Sequence, residues 1–364
     1  MFSSTGLCAA LLFLASVVLA ANQTETSNNT LVLLHVLHRH GDRTPNNIGY
    51  ANNPISNESF YYPYGFGEVS KNGMRTAYKI GILLRQRYSS YLGDVLNLKY
   101  NYARSTDASR TKASLELVLA ALWPPRRQEK FWPCLNWQPV PFYYDGRDMQ
   151  LNGHRCQVYR DEYNAVFNST ATQSAISVYQ EWYDYISNAT GEDFSTPSDV
   201  FNLYMDITAQ LAYGYPIEDW LKPIYPEIME RIAVDQYYLD ANTTLLRQYG
   251  AGFLLKKIIE DTQSKINGTI SPAERKLFIY AAHERNLAFT LISLGVFNDR
   301  VPPYGCFILF EVHLIDGVYG FKIFYHDWTT TDPKLMIIPG CQEFCPFDTF
   351  TELLKDVIPD TAGC

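Results

Sequence analysis

Short apolar runs of strand length alternate with stretches of helical spacing along this chain of 364 residues. A run of four to eight apolar residues is typical of a buried strand, and apolar residues spaced three or four apart form the inner face of a helix. Strands that alternate with helices predict an α/β fold, with a mainly parallel sheet flanked by helices. The predicted strands are residues 31–37, 100–103 and 277–282, and the predicted helices run from Ser70 to Tyr91, from Asp107 to Leu119 and from Arg285 to Gly295.

Residues 145–265 have a different pattern, with long amphipathic stretches and little β-patterning. We predict that they form a mainly helical insertion, a smaller second domain that covers one end of the sheet. The α/β domain then consists of two parts, residues 21–144 and 266–364. Late in the second part, two strands are expected to pair as an antiparallel hairpin around Asp316-Gly317, a dipeptide typical of tight turns.

The net charge limits the class of partner. Lys and Arg number 30 and Asp and Glu number 38, which gives a net charge of −8 at pH 7. Nucleic-acid binding needs a positive surface, so this class of function is excluded by the overall charge. The hydrophobic fraction of 47% excludes a fibrous or wholly disordered chain. Any anion that the protein binds must therefore be held by a local cluster of bases.

Residues 1–20 are predicted to be a cleavable signal peptide. Residues 7–20 carry no charge and end in Val18-Leu19-Ala20, where small residues suit signal peptidase. No Lys or Arg precedes the run, and the alternative is an uncleaved anchor, although the run is shorter than the roughly 20 apolar residues of a membrane span. We expect a mature protein without a membrane segment that is secreted and extracellular, with the lysosome as the alternative destination.

The cysteines and the glycosylation sequons agree with secretion. Removal of the signal peptide leaves an even number of cysteines, which in a secreted chain indicates disulfides. Cys341 and Cys345 are close enough to close a small loop, whereas the other four, Cys134, Cys156, Cys306 and Cys364, allow three pairings. The sequons are at Asn22, Asn28, Asn57, Asn168, Asn188, Asn242 and Asn267.

The loop after the first predicted strand concentrates the candidate catalytic residues. It reads Arg39-His40-Gly41-Asp42-Arg43-Thr44-Pro45, and ligands of open α/β sheets bind beyond the carboxyl ends of strands. Two guanidiniums beside an imidazole repel each other and disfavour its protonation. A bound dianion would neutralise their charge and remove this repulsion. Arg binds phosphate oxygens bidentately, and a neutral imidazole among arginines is a competent nucleophile toward phosphorus. The alternative is a surface turn with solvated charges, which the length and placement of the motif disfavour.

This heptapeptide resembles the motif of the histidine acid phosphatases, a branch of the histidine phosphatase superfamily. Other segments also resemble that family: Tyr64-Gly65-Phe66-Gly67, Arg104-Ser105-Thr106-Asp107, Pro302-Pro303-Tyr304 and Pro339-Gly340-Cys341. The resemblance extends over most of the chain after the signal peptide and is weakest in the helical middle. Its overall character is nearest to the secreted acid phosphatases of insect venom.

The resemblance implies a two-step phosphoryl transfer that needs no metal or other cofactor. His40 would attack phosphorus to give a phosphohistidine, which water then hydrolyses. Arg39, Arg43 and Arg104 would hold the phosphoryl oxygens, whose charge is spread over three equatorial atoms in the transition state. The substrates would be phosphate monoesters, either small molecules or phosphoproteins.

The resemblance also concerns the cysteines and the quaternary structure. It implies disulfides between Cys156 and Cys364 and between Cys341 and Cys345, which leaves Cys134 and Cys306 as a third pair. Members of the family often form dimers, so a homodimer is expected.

The family motif includes a His-Asp pair, for which this chain offers two candidates. His326-Asp327 matches the dipeptide, whereas His283-Glu284 follows a predicted strand and opens a predicted helix. On this context we select His283 as the second histidine and Glu284 as the acid that protonates the leaving alcohol. An ordinary Glu pKa of about 4.3 suits a proton donor at acidic pH. Glu is one methylene longer than the family's Asp, and a displacement of about 1 Å can cost on the order of 10²-fold in rate.

Two functions of other classes, and one other substrate class for a phosphatase, compete with this prediction. His38-Arg39-His40-Gly41-Asp42 also matches the His-x-His-x-Asp of binuclear zinc hydrolases, but few other histidines remain to complete two metal centres, and the arginines disfavour a divalent cation. The other alternative is a secreted phosphate-binding homologue with impaired chemistry. A phytate-directed phosphatase is expected to line its pocket with more basic residues, of which the acidic chain gives no sign.

Overall fold

The computed structural model describes residues 30–47, 49–360 and 364, so the predicted signal peptide and the sequons at Asn22 and Asn28 lie outside the described residues. A mixed eight-stranded sheet forms the centre of the described part. Its strands are β1 Leu31–Arg39, β2 Asn101–Ser105, β3 Tyr143–Tyr144, β4 Leu277–Ala282, β5 Phe307–Ile315, β6 Val318–His326, β7 Lys334–Met336 and β8 Cys345–Pro346. The helices are α1 Lys71–Leu92, α2 Ser109–Leu122, α3 Met149–Asn152, α4 Gln157–Phe167, α5 Thr170–Ile176, α6 Gln180–Thr190, α7 Pro197–Tyr213, α8 Glu227–Asp240, α9 Thr244–Arg247, α10 Phe253–Ile266, α11 Glu284–Ser293 and α12 Phe347–Leu354.

The sheet has a parallel half and an antiparallel half. Its strands follow the order β3-β2-β4-β1-β5-β6-β7, with β8 beside β6. The strands from β3 to β1 run parallel, and β5, β6 and β7 continue the sheet in antiparallel pairs. The predicted α/β class is confirmed. The carboxyl ends of β1, β2 and β4 meet at one edge of the sheet, which is where ligands bind in open α/β folds.

Side-chain alternation along the strands gives each face of the sheet its own hydrophobic core. One face packs against α6, α7, α8 and α10, and the other packs against α1 and α2. Because helices cover both faces, consecutive residues of a strand are buried, as is usual for parallel sheets. In β4 the first face carries Phe278, Tyr280 and Ala282, and the second carries Leu277, Ile279 and Ala281.

The helices and the hairpin predicted from the sequence are present. Ser70 caps α1, and its Oγ accepts a hydrogen bond from Gly73 N at 3.1 Å. Strands β5 and β6 form the expected hairpin, and Asp316 and Gly317 turn the chain with φ of 51° and 81°. Helices α3 to α10 occupy the chain between β3 and β4. Of these, α3, α6, α7, α8 and α10 contribute to the first core, and α4 and α9 pack in a smaller, separate cluster. The domain limits at residues 144/145 and 265/266 stay a prediction.

Two of the three expected disulfides are present. Cys156–Cys364 and Cys341–Cys345 have Cα–Cα distances of 5.4 and 5.1 Å. The expected bond between Cys134 and Cys306 is wrong, because both are free thiols: Cys134 is exposed and Cys306 is buried next to β5. A disulfide needs two thiols in direct contact, and here one thiol faces solvent while the other is enclosed beside the sheet.

The remaining sequon asparagines are accessible. Each of them is exposed in the structure: Asn57, Asn168, Asn188, Asn242 and Asn267. No helix in the described part of the chain is long and apolar enough to cross a membrane.

Candidate active site

His40 follows β1 at the edge of the sheet and is held by the strands on either side. Its N–H donates to Ala282 O at 3.0 Å, and its carbonyl accepts from Gly305 N at 3.1 Å. The preceding Arg39 N donates to Cys306 O at 2.9 Å. These bonds fix the start of the loop at the carboxyl ends of β1 and β4.

Two glycines allow this loop to pack against the first turn of α1. A Cβ on Gly41 would lie 2.1 Å from Gly73 O, and a Cβ on Gly73 would lie 1.9 Å from Asp42 O. Both oxygens belong to the backbone and cannot move aside, so the close approach of the two segments requires glycine at each position. Gly41 N also donates to Ser114 Oγ on α2 at 3.0 Å. The loop is therefore held by two helices as well as by the sheet.

The buried imidazole of His40 is held in one tautomer. Its Nδ1 lies 2.8 Å from Gly41 O, and because a carbonyl oxygen can only accept, Nδ1 carries the proton and Nε2 carries the lone pair. Burial lowers the pKa of His40 well below 6.5, and the cations of Arg110 and Arg39 lower it further. The imidazole is therefore neutral, as a nucleophile must be.

Arg110, which was not among the residues predicted from the sequence, brings a guanidinium to His40. Arg110 lies in the first turn of α2, and its Nε donates to His40 Nε2 at 3.3 Å. Burial lowers the pKa of Arg110, and the neighbouring cations of Arg43 and Arg39 lower it further. A helix that opens just after the carboxyl end of β2 points its first turn at the ligand edge of the sheet. That position was the signal in the sequence that could have identified Arg110.

Arg104 lies elsewhere, which corrects the set of arginines expected at the site. On β2, Ala103 belongs to the core beneath α1 and α2, whereas Tyr102 packs against the opposite core. By strand alternation Arg104 lies on the face of Tyr102, away from α2. Its Nε donates to the buried Asp148 Oδ2 at 2.6 Å, and its Nη1 donates to Tyr102 OH at 3.0 Å.

Arg39 is 1% exposed and reaches the same pocket. Its Nη1 donates to Pro302 O at 2.5 Å, and its guanidinium stacks on the ring of Tyr304 with Cζ 3.9 Å from the centroid. Its Nε lies 3.6 Å from Glu284 Oε2. Its buried Nη2 has no hydrogen-bond partner among the described residues. A buried cationic N–H group without a partner is suited to binding an anion.

Arg43 is the third guanidinium of the site; it is buried and is held by a carboxylate of the insertion. Its Nη1 donates to Thr44 O at 2.9 Å and to Asp206 Oδ1 at 3.3 Å. Asp206 lies on α7, so the helical insertion contributes a charged group beside the catalytic loop.

His283 follows β4, and its ring lies edge-on to that of His40 with 5.5 Å between centroids. Its Nε2 lies 3.0 Å from Thr106 Oγ1, which lies 2.8 Å from Thr111 Oγ1. The Thr111 hydroxyl donates to a backbone carbonyl at 2.9 Å, so it accepts from Thr106, and Thr106 accepts from the N–H of His283 Nε2. Burial lowers the pKa of His283 to about 3, helped by the cation of Arg110.

Glu284 is the first residue of α11 and faces the same cations. Burial raises the pKa of its carboxyl, but Arg39, His283 and Arg285 outweigh burial and hold this pKa at about 2. The carboxyl is therefore ionised in the unliganded site even at acidic pH, whereas a carboxyl with the ordinary Glu pKa of about 4.3 would be partly protonated there. An anion bound against Arg39 would offset part of the positive field and raise the pKa of Glu284.

His326, the other candidate histidine, lies at the end of β6. Its ring packs between those of Phe307 and Trp328, with centroid distances of 4.9 and 4.6 Å. The ring that lies against His40 belongs to His283.

The arrangement combines a nucleophile, an acid and a cage of cations around one space. Three guanidiniums can hold the three equatorial oxygens of a phosphoryl group while the imidazole attacks phosphorus. The carboxyl can carry a proton to the leaving oxygen. The groups are Arg39, His40, Arg43, Arg110, His283 and Glu284.

The same space has three side chains that could ligate a metal ion. His40, His283 and Glu284 have ligand atoms within 4.8 Å of one another, close enough to share an ion. The guanidinium beside His40 Nε2 and the guanidinium beside Glu284 repel a divalent cation. His38, which the zinc alternative requires, is buried in β1 with Nδ1 3.1 Å from Arg39 O and does not belong to this group. The donor set favours an anion over zinc.

Comparison with protein families matches residues 30–325 to the histidine phosphatase superfamily (branch 2). The chain belongs to this family. The venom acid phosphatase Acph-1 of Apis mellifera is 32% identical to it over 332 residues, which are 90% of this chain and 85% of that protein. The lysosomal acid phosphatase of Homo sapiens is 28% identical over 345 residues, 92% of this chain and 79% of that protein. The resemblance seen in the sequence is confirmed, and this member of the family is an acid phosphatase.

Solved structures share the fold at low sequence identity. The phytase of Hafnia alvei in complex with myo-inositol hexakis sulphate has a TM-score of 0.69 and 18% identity, covering 92% of this chain and 98% of that chain. The phytase of Klebsiella sp ASR1 has a TM-score of 0.67 and 15% identity, also covering 92% and 98%. At these identities the comparison concerns the fold alone.

Substitution of Arg110 is expected to affect catalysis, and substitution of Arg104 is expected to affect stability, so the two variants form a paired test. Arg110→Gln removes a group that touches His40, so kcat/KM for an aryl phosphate should fall by about 10³-fold with little change in unfolding free energy. Arg104→Gln leaves the buried Asp148 without its cation, so it should cost about 3 kcal/mol of stability and change kcat/KM less than about fivefold. Steady-state kinetics and urea unfolding of both variants provide the check. A large loss of kcat/KM in Arg104→Gln, with a small loss in Arg110→Gln, would show that Arg104 and not Arg110 binds the phosphoryl group.

Proposed function

We propose that the protein is a secreted acid phosphatase that hydrolyses phosphate monoesters through a phosphohistidine on His40, without a metal or other cofactor. The proposal rests mainly on one observation, which is that His40 Nε2 is unprotonated. This nitrogen belongs to a buried, neutral imidazole, carries the lone pair, and is contacted by the guanidinium of Arg110. A nucleophile that is buried and surrounded by cations is suited to an anionic electrophile such as a phosphoryl group.

In the first step the lone pair of His40 Nε2 forms a bond to phosphorus while the ester P–O bond breaks. Glu284 gives its proton to the leaving oxygen, so the alcohol departs neutral. The proton on Nδ1 stays bonded to Gly41 O, which stabilises the positive charge that the ring acquires. In the second step Glu284 takes a proton from water, the water oxygen bonds to phosphorus, and the P–N bond breaks to release phosphate.

The guanidiniums hold the transferred group through both steps. Arg39, Arg43 and Arg110 lie around the phosphoryl oxygens, where the charge of a loose transition state accumulates. Thr106 holds the ring of His283, which would donate to a phosphoryl oxygen when it gains a proton. This set replaces Arg104 by Arg110 relative to the set implied by the sequence.

The charge of the site favours a singly charged substrate. Three guanidiniums and the two carboxylates of Glu284 and Asp206 give a net charge of +1, and Arg285 adds none because it is paired with Asp240. A monoester dianion would leave a net charge of −1 beside an ionised Glu284, whereas a monoanion neutralises the site. The monoanion therefore delivers the proton that Glu284 passes to the leaving oxygen. Because the second pKa of a phosphate monoester is about 6, the reaction needs acid although Glu284 is itself a strong acid here.

Secretion is supported by the predicted signal peptide, by the two disulfides and by the exposed sequon asparagines. The lysosome is the alternative destination, and one relative is a lysosomal acid phosphatase. The substrates are small-molecule or phosphoprotein monoesters. The homodimer stays a prediction.

Hydrolysis of p-nitrophenyl phosphate between about pH 3 and 8 tests the proposal over the range of the ordinary Glu and His pKa values. We expect kcat/KM to be flat in acid and to fall about tenfold per pH unit above the second pKa of the substrate. EDTA should leave the rate unchanged, and His40→Ala should abolish turnover because it removes the covalent step. Loss of activity with EDTA would favour the zinc alternative, and phosphate binding without turnover would favour the impaired homologue.

Glu284→Gln tests the proton donor separately from phosphate binding. We expect kcat for an alkyl phosphate to fall by on the order of 10²-fold or more, and kcat for an aryl phosphate to fall much less, because an aryl leaving group needs little protonation. Without the carboxylate the dianion is no longer repelled, so KM should stop rising above about pH 6. Glu274→Gln, an exposed carboxyl at the amino end of β4, serves as the control. Equal losses for the two substrates would contradict the role of Glu284.

A further inference from the structure

The buried ion pair between Arg43 and Asp206 joins the catalytic loop to the helical insertion. Both residues are 3% exposed. Asp206 Oδ1 accepts from Arg43 Nη1 at 3.3 Å and from the backbone N–H of Asn46 at 2.9 Å. One carboxylate oxygen of α7 therefore holds both the guanidinium and the backbone of the loop three residues further along.

These contacts leave Arg43 with a fixed orientation. Its Nη1 is shared between Thr44 O and Asp206 Oδ1, so rotation of the guanidinium would break two bonds at once. The planar guanidinium of an arginine binds a phosphoryl group well only when its nitrogens face the phosphoryl oxygens. A small misplacement of the guanidinium weakens binding and slows the reaction. A residue that fixes this fork acts on phosphate binding without touching the phosphate.

The pairing of charges also indicates that Asp206 holds Arg43 in place. Arg39 has Glu284 as its carboxylate, and Arg43 has Asp206, so each arginine of the loop is paired with an acid from another element. The insertion in this way supplies one of the two negative charges of the site. Burial raises the pKa of the Asp206 carboxyl, and the cations of Arg43 and, at longer range, Arg110 offset only part of that rise.

We propose that Asp206 is a positioning residue of the phosphatase: it orients Arg43 for the phosphoryl group and couples the helical insertion to substrate binding. This inference rests on the proposed function, because it takes the space between Arg43 and His40 to be the phosphate site. Two other roles differ in their consequences. A carboxylate that only stabilises the fold would leave phosphate affinity unchanged, and a carboxylate that competes with the substrate for Arg43 would weaken it.

Calorimetric titration with inorganic phosphate tests the proposal without requiring turnover. Asp206→Asn keeps the size of the side chain and an oxygen for Asn46 N but removes the charge. We expect its affinity for phosphate to fall by about tenfold or more, and KM for p-nitrophenyl phosphate to rise by a similar factor with kcat changed less than about threefold. Asp261→Asn is the matched control, because Asp261 is a largely buried carboxylate of the insertion that pairs with Lys257.

The two titrations decide between the three roles. An affinity for phosphate that falls no further in Asp206→Asn than in Asp261→Asn would show a purely structural role, and a gain in affinity would show competition. Both results overturn the proposal. Wild-type protein that binds phosphate without turnover would refute the phosphohistidine mechanism instead, and the titrations would still test the coupling between Asp206 and Arg43.

A double-mutant cycle tests whether Asp206 acts through Arg43. Arg43→Gln should weaken phosphate binding, and adding Asp206→Asn to Arg43→Gln should weaken it no further. The double variant buries no unpaired charge, so it remains informative if Asp206→Asn alone does not fold. A further loss of about tenfold in the double variant would show that Asp206 acts on phosphate by another route and would overturn the proposal.

Discussion

The parallel pairing of β1 with β4 decides where every group of the site lies. The register places Arg39 opposite Ala282, so the next residues of the two strands, His40 and His283, leave the sheet side by side. β2 pairs with the other side of β4 with Ser105 opposite Ala281, which brings Thr106 to the same edge. A shift of one residue would turn each side chain to the opposite face, so the hydrophobic cores above and below the sheet also fix the geometry of the imidazoles.

Burial of the arginines is the second constraint, and it explains why elements distant in the sequence contribute carboxylates to the site. Buried guanidiniums are stable only when paired and hydrogen-bonded. The loop after β1 has no acid in position to pair with either of its arginines in this structure. Those acids come from the start of α11 and from α7. Burial, together with the field of the cations, keeps His40 neutral, and the same field keeps Glu284 ionised. The charges of the pocket therefore suit the monoanion of a phosphate monoester, which carries one proton.

Much of the fold could be predicted from the sequence because apolar periodicity determines strands and helices directly. The strand at 277–282, the cap at Ser70 and the turn at Asp316-Gly317 depend on neighbouring residues, and the structure has all three. The pair of free cysteines could not be predicted this way, because counting cysteines carries no information on where Cys134 and Cys306 lie in space.

The site was predictable where it follows the strand ends and not where it depends on tertiary packing. Arg39, His40 and Arg43 lie in one loop, and His283 and Glu284 follow the neighbouring strand, so the structure brings them together. Arg104 was selected for its place at a strand end without regard to the alternation of β2, which turns Arg104 toward Asp148. Asp206 lies more than 160 residues from Arg43, and only the packing of α7 shows that the two meet.

The most direct measurement of the central claim is to trap the covalent intermediate. The protein would be mixed with a phosphate monoester, quenched in base, where phosphohistidine is stable, and digested for mass spectrometry. We predict one phosphorylated peptide, which contains His40 modified on Nε2, because Nδ1 is occupied by its bond to Gly41 O. Turnover without a phosphoenzyme, or phosphate found on another residue such as His283, would contradict the account.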